Sequence, residues 1–292
     1  MQLSVVVPVY RSARILPTLV ERITAALAGV ALSFEIVLVN DDSPDESWLV
    51  ISSLAASSPN VKGINLRRNA GQHNAIMAGL NNCSGEMIVV MDDDLQHDPA
   101  DIPLLIAKIQ EGYDVCFAKF RELKHVWWKR LGSAFNDLVA RILLKKPRDI
   151  YLSSFKGFTK GVRDEVIRYT GPYVYLDGLI LMTTSSLSCV EVLHHGRHEG
   201  SGNYSFRKSV SLWFKMATSF SVLPLRIASM LGALFAFLGF LLAGLAVVLK
   251  LFSGFEVPIG WTSLITVVLL IGGVQLFALG VIGEYLGRAY VR

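Results

Sequence analysis

Two stretches near the C-terminal end carry no charged residue: Ile227 to Leu249 and Val257 to Gly283. A helix rises ~1.5 Å per residue, so roughly 20 apolar residues cross the ~30 Å hydrocarbon core of a bilayer. Both runs exceed that length, and soluble cores rarely hold two such neighbours. They predict a pair of transmembrane helices. Whatever folds from the rest of the chain then works beside a membrane. Composition agrees. At 52% hydrophobic, 18% charged and a mean hydropathy of +0.45, the chain is too apolar for an ordinary soluble protein and too charged for one wholly in lipid.

Positive charge sets the orientation. Arg207, Lys208, Lys215 and Arg226 precede the first run, and Arg288 and Arg292 follow the second. The connector offers Lys250 against Glu256. The positive-inside rule therefore puts the large N-terminal part and both termini in the cytoplasm. A pI of 8.9 suits a protein resting on an anionic leaflet. The start, MQLSVVVPVY, lacks the basic and long apolar regions of a signal peptide. Cys83, Cys116 and Cys189 show neither CxxC pairing nor zinc spacing, which predicts reduced thiols. No nucleic-acid motif is present. Residues 205–224 are amphipathic, with Trp213, Phe214 and Phe220 among Lys and Ser, and suit the membrane interface. The expected division is 1–204 as an α/β domain, 205–224 as a juxtamembrane segment and 225–292 as two spans.

Residues 1–204 alternate short apolar runs with amphipathic helices. Leu3 to Val7, ended by Pro8, and Phe34 to Val39 suit strands buried on both faces. A helix from about Ile15 to Ala28 separates them. MIVVM and Asp114 to Ala118 extend the pattern, and Asp98 caps a helix opening at Pro99. SSFKGFTKG and SLSCVEVL return as strands, and a basic, aromatic helix is expected between His125 and Leu144. The β-α-β-α order predicts a doubly wound, mostly parallel sheet. Ligands of such sheets sit beyond the carboxyl ends of the strands.

Acidic residues gather at those ends. In VVMDDDLQHD, three carboxylates follow an apolar strand. Hard oxygen ligands suit Mg²⁺ or Mn²⁺, and such metals also grip substrate phosphates. Strand alternation points Asp92 and Asp94 to one side and Asp93 to the other, with Gln96 or His97 nearby. A solvated acidic loop with a helix cap is the plainer alternative. In VNDDSPDES, Asp41 suits hydrogen bonds from a base or ribose, or simple turn chemistry. In RRNAGQHNA, Arg67 and Arg68 offer guanidinium forks to phosphate, and Gly71 permits close approach at a helix start.

In order, VVVPVYRSARIL, VLVNDDSPDES, LRRNAGQHNAIMAGL and VVMDDDLQHDP resemble the GT-A-fold family 2 glycosyltransferases. With LSSFKGF, HHGRHEGSGNYS, VLPLR and GEYLGR, the layout resembles the polyprenyl-phosphate glycosyltransferases. These include dolichyl-phosphate mannose synthase and the undecaprenyl-phosphate aminoarabinose-type transferases. The resemblance spans essentially the whole chain. It implies a metal-dependent, inverting transfer of a sugar from a nucleotide donor, UDP-linked, to polyprenyl (undecaprenyl) phosphate at the cytoplasmic face of a bacterial inner membrane. Pro8, Tyr10, Asp41, Arg68, Gly71, Asp92 and Asp93 would serve the donor. Asp92 and Asp94 occupy the family's DxD positions, with Gln96 as a further metal contact. Arg197 and Tyr204 would meet the acceptor phosphate. Asp149 and Asp177 are rival carboxylates near the acceptor, each equally readable as a cap or ion pair.

Asp93 departs from the small residue usual at its place, and Asn40 and Asp42 depart around Asp41. The absence of QxxRW argues against a processive polysaccharide synthase. A nucleotidyltransferase would open with a Gly-rich, basic loop in place of PVYRSARIL. A membrane scaffold or flippase that binds nucleotide sugar without transfer is the reading from another class. The apolar runs weigh against transport, holding little that is polar beyond Gln275 with Thr and Ser. Their small-residue faces permit packing within one chain or between copies in a homo-oligomer.

Overall fold

The computed structural model describes residues 2–30, 32–120, 147, 149–171, 174–192, 230, 232, 234, 237, 241 and 261–290. The chain divides into two compact units. One holds residues 1–170 and 174–205, the other 171–173 and 206–292.

The first unit is built on a seven-stranded sheet of order β3-β2-β1-β4-β6-β5-β7. Its strands are β1 (Leu3–Val9), β2 (Phe34–Asn40), β3 (Val61–Asn65), β4 (Met87–Val90), β5 (Val115–Phe120), β6 (Lys156–Thr159) and β7 (Leu187–Val192). β1 to β4 are parallel, β6 is antiparallel to both β4 and β5, and β7 is parallel to β5. The helices are α1 (Leu16–Ala28), α2 (Ser47–Ser57), α3 (Gln72–Asn82), α4 (Ile102–Gln110), α5 (Lys160–Val166) and α6 (Leu176–Thr183). Asp98 caps a single 3-10 turn, Pro99–Asp101, that leads into α4.

The expected α/β class and mostly parallel sheet are what the chain forms. Every residue of β1 is buried, as continuous Val-rich runs require in a sheet covered on both faces. α1 buries Leu16, Leu19, Val20, Ile23 and Leu27, one helical stripe. Each such side chain contributes ~1.5–3 kcal/mol of burial.

One boundary is corrected. β1 does not end at Pro8 but runs through it to Val9. Proline lacks the N–H that a central strand needs. Here that lack falls where the ladder to β4 ends. Val6 faces β4, accepting from the Met91 N–H at 3.2 Å, and Pro8 shares its parity. The β1–β4 register stops at Val6 and Val90.

α3 lies directly on the sheet. A Cβ at Gly79 would fall 2.4 Å from Val6 Cγ1 and 3.2 Å from Val39 Cγ2. This close approach brings the first turn of α3 to the ends of β1 and β2.

In the second unit, α7 (Trp261–Tyr290) contains most of the second apolar run. Its described apolar side chains include exposed Leu264, Val268, Phe277 and Leu279. Among the described residues no helix is long and apolar enough to cross a membrane. Several side chains of α7, and most of the first run, lie outside that description. So do the residues of the expected basic helix between His125 and Leu144, the stretch 205–224, Arg197 and Tyr204.

Candidate active site

Because β1, β2 and β4 run parallel, their carboxyl ends open on one edge of the sheet. A cavity of about 490 Å³ lies there, within the usual range for small-molecule sites. β1 and its following turn supply Pro8, Val9 and Tyr10. The loop after β2 supplies Asp41, the segment before α3 supplies Asn69 and Gly71, and α3 itself supplies Gln72. Asp92, Asp93 and Asp94 follow β4.

Three carboxylates stitch these loops together. Asp41, buried, accepts from the backbone N–H of Ala70 at 2.7 Å and of Gly71 at 2.9 Å. The Asn69 side chain donates to the Asp41 carbonyl at 3.0 Å. Gly71 has φ +86°, a conformation cheap only for glycine, and this turns its N–H toward Asp41. Asp45 accepts from the hydroxyls of Ser43 and Ser47 and from the N–H of Ala13. Asp93 Oδ2 accepts from the Tyr10 N–H at 3.0 Å and the Ser12 hydroxyl at 2.6 Å. Alternation separates Asp93 from its neighbours, and the structure gives it a partner loop. The sidedness of the triplet is not absolute, since all three aspartates line the cavity.

Asp92 is held differently. Gln72 Nε2 donates to one oxygen and the Ser154 hydroxyl to the other, both at 2.6 Å. Asp94 accepts from the Gln96 N–H at 3.1 Å, and Leu95 between them takes φ +55°. Burial pushes the Asp93 carboxyl up to about 6, helped by the charges of Asp92 and Asp94 and opposed by its two donors. Among the described residues neither Asp92 nor Asp93 meets a cationic side chain. Adjacent carboxylates served only by neutral donors leave negative charge that a divalent cation would balance.

The donor set fits Mg²⁺ or Mn²⁺ in one particular way. Among the described residues no three His, Cys, Asp or Glu side chains gather into a complete metal cage. A hard cation that keeps waters and takes phosphate oxygens needs only one or two carboxylates from the protein. Asp92 and Asp94 supply that number.

The other expected residues scatter. Arg68 is exposed and lies one residue before the cavity wall at Asn69. Gln96 is partly buried and touches Asp94 through its backbone. Asp149 is exposed on a turn and is not among the residues that line the cavity. Asp177, in the first turn of α6, is buried in an ion pair with Lys156 of β6. The Lys156 ammonium also lies 5.6 Å from the centre of the Phe117 ring. Beside them His73 packs edge-on against Tyr175 at 5.4 Å, and burial holds its pKa below the usual imidazole range. Sequence reading assigned no role to Ser12, Asn69, Gln72, Lys156 or Ser154. All lie in motifs already singled out, but their partners are 20 to 81 residues away.

Comparison with known proteins supplies the family. The model of glycosyl transferase family 2 matches residues 4–169, and the GtrB C-terminal hairpin matches residues 223–289. The undecaprenyl-phosphate 4-deoxy-4-formamido-L-arabinose transferase of Enterobacter sp. (strain 638) is 35% identical over 294 residues, covering 99% of this chain and 89% of the relative. The protein of the same description from Proteus mirabilis (strain HI4320) is 33% identical over 292 residues, with the same coverage of 99% and 89%. Among solved structures, glucosyl-3-phosphoglycerate synthase from Mycobacterium tuberculosis with Mn²⁺, uridine diphosphate and phosphoglyceric acid aligns with a TM-score of 0.55 at 14% identity, over 74% of this chain and 76% of that one. Its complex with Mn²⁺ and UDP-glucose gives 0.53 at 15% identity, over 75% and 77%. At that identity the likeness establishes the fold, a GT-A-like α/β mixed sheet.

Proposed function

The chain belongs to glycosyl transferase family 2, and from that premise we propose that it moves a sugar from a nucleotide donor, UDP-linked, to undecaprenyl phosphate. The carrying observation is the cavity at the ends of β1, β2 and β4, where Asp92 and Asp94 flank an aspartate committed to the neighbouring loop. The relatives' activity and their near full-length match support the acceptor. The Mn²⁺ and uridine nucleotides of the fold neighbours support the donor and metal.

Pro8, Val9 and Tyr10 face the nucleoside, and Asp41 braces the opposite wall through Ala70 and Gly71. Asp92 and Asp94 would hold Mg²⁺ or Mn²⁺, which would supply charge neutralisation for the departing nucleoside diphosphate. Gln72 and Ser154 fix the Asp92 carboxylate so that it need not reorganise during reaction. A phosphate oxygen of the acceptor attacks the anomeric carbon with inversion, and the bond to the diphosphate breaks. The acceptor monoester, with its second pKa at ~6, is already anionic near neutral pH. A strong base is therefore less necessary than for a sugar hydroxyl. Asp177, already paired with Lys156, fits the role of an acceptor-side brace; Asp149, exposed, is the alternative carboxylate. Arg197 and Tyr204 complete the acceptor side in this reading.

The C-terminal hairpin anchors the enzyme in a bacterial inner membrane with the catalytic unit cytoplasmic. The exposed apolar side chains of α7 support this, since water disfavours such a face. The test combines full-length protein in detergent with undecaprenyl phosphate, Mn²⁺ and a panel of nucleotide sugars, including 4-deoxy-4-formamido-L-arabinose donors. Lipid-dependent release of nucleoside diphosphate and a glycosylated lipid by mass are expected. Nucleotide binding with no lipid product from any donor favours the scaffold reading and rejects transfer.

A further inference from the structure

The backbone ladder that joins β1 to β4 ends just short of the cavity. Its last bond runs from the Met91 N–H to the Val6 carbonyl. Beyond it the turn Tyr10–Ser12 and the loop Asp92–Asp94 continue side by side, joined by one side chain. Both bonds end on the same atom, Asp93 Oδ2, reached by the Tyr10 N–H and the Ser12 hydroxyl.

The turn needs such a hold. Arg11 sits at φ +59°, left-handed backbone that a residue with a side chain adopts only under constraint. On its other flank the turn is pinned to the loop after β2. Arg11 N–H donates to Ser43 Oγ at 2.7 Å, Ser12 N–H to Ser47 Oγ at 3.2 Å and Ala13 N–H to Asp45 Oδ2 at 3.1 Å. Those bonds fix the turn against the β2 loop. Asp93 ties it to the loop that carries Asp92 and Asp94. Tyr10 is also the residue the turn presents to the cavity, 44% exposed, with the Arg11 guanidinium 5.4 Å from its ring centre.

The geometry points to Asp93 as a positioning residue that latches the nucleoside-facing turn Tyr10–Ser12 to the metal-facing loop Asp92–Asp94, keeping the two halves of the nucleotide donor in register. This rests on the family 2 reading above. Asp93 itself touches neither the metal nor the reacting atoms. Its carboxylate acts through Tyr10 and Ser12, and the donor is the substrate whose binding it governs.

The experiment uses the full chain in detergent and the variants Asp93→Ala, Asp93→Asn, Ser12→Ala and Asp93→Ala with Ser12→Ala. Amide hydrogen exchange over residues 9–13 reads the latch without any ligand. Steady-state kinetics with donor, acceptor lipid and Mn²⁺ read its consequence. Asp93→Ala should lose protection at the turn and raise the donor KM about tenfold, the scale of one lost charged hydrogen bond. kcat and the Mn²⁺ requirement should stay within about twofold. Ser12→Ala should move the same way, and the double variant should fall short of the sum, as coupled partners do. Asp93→Asn keeps an acceptor oxygen and should retain most of the donor affinity. Unchanged exchange in Asp93→Ala overturns the latch. Lost protection with an unchanged donor KM overturns its role in positioning. Damage from Asp93→Asn equal to that from Asp93→Ala, with a raised Mn²⁺ requirement, makes Asp93 a metal ligand instead. If the unaltered chain uses no nucleotide sugar, the proposed function falls, while the exchange measurement still decides the latch.

Discussion

Strands β4 and β6 are antiparallel neighbours in the sheet, and the end of one and the start of the other carry charge clusters of opposite design. Beyond β4, Asp92 and Asp93 accept hydrogen bonds from an amide, two hydroxyls and a backbone N–H, with no cationic side chain among the described residues. At β6, Lys156 and Asp177 form a buried pair that is neutral as a unit. Among the described residues, Asp92 and Asp93 of the first cluster meet no positive side chain. The second is complete as folded. Incompleteness marks a place for a ligand, and a closed pair marks a place that holds helix α6 to the sheet.

The contrast is tested most severely at the closed pair. Lys156→Met strands a buried carboxylate and should cost ~3–5 kcal/mol of stability, measured by denaturant unfolding in detergent. Adding Asp177→Leu should recover most of it, because replacing both members removes the unpaired charge. A loss below ~1 kcal/mol in the single variant would show that water reaches the pair and that it is not closed.

The open cluster should respond in the other currency. Asp94→Asn should lower lipid-dependent transfer ~100-fold, the scale of several kcal/mol expected of a lost metal contact. Its unfolding midpoint should hold or rise, since one of three adjacent like charges is gone. Removing metal with a chelator should have the same effect on turnover, reversed by Mn²⁺. A fall in stability that tracks the fall in activity would erase the distinction between the two clusters.

The smallest effect lies at Asp45, a stitched carboxylate that is exposed. Burial alone would raise its pKa, but the hydroxyls of Ser43 and Ser47 and two backbone N–H groups draw it down to about 2. A lowered folded pKa contributes stability that is present above the unfolded value near 4 and is lost as pH falls toward 2. Solvent screening keeps the contribution below ~1 kcal/mol. Asp45→Asn should lower neutral stability by that small amount, under ~1 kcal/mol, and so flatten the acid limb of the stability curve between about pH 4 and pH 2. A limb that keeps its slope would place the lost stability on other carboxylates.

Much of the cavity wall was legible in the sequence. The Val-rich runs of β1, β2 and β4 announce strands covered on both faces, because burial on two sides removes polar residues from the pattern. Parallel strands bring their following loops to one edge, so the acidic segments at Asp41 and Asp92 had to meet. The acceptor side was less legible. Asp149 and Asp177 read alike in sequence, as acids near polar loops. Only packing separates an exposed turn residue from one buried against Lys156.

The sequence by itself determined the α/β class, the family and the placing of an acidic triplet at a strand end. These follow from burial periodicity and from the order of local motifs, both written in consecutive residues. Tertiary structure decided that β1 passes through Pro8, that β6 inserts antiparallel between β4 and β5, and that Ser154 steadies Asp92. It also decided that Asp93, the middle of three identical residues, turns to the β1 loop. The reason is the same in each case. A hydrogen bond across 62 to 83 residues leaves no periodic trace in the chain, because its partner is chosen by the folding of the sheet rather than by neighbours in sequence.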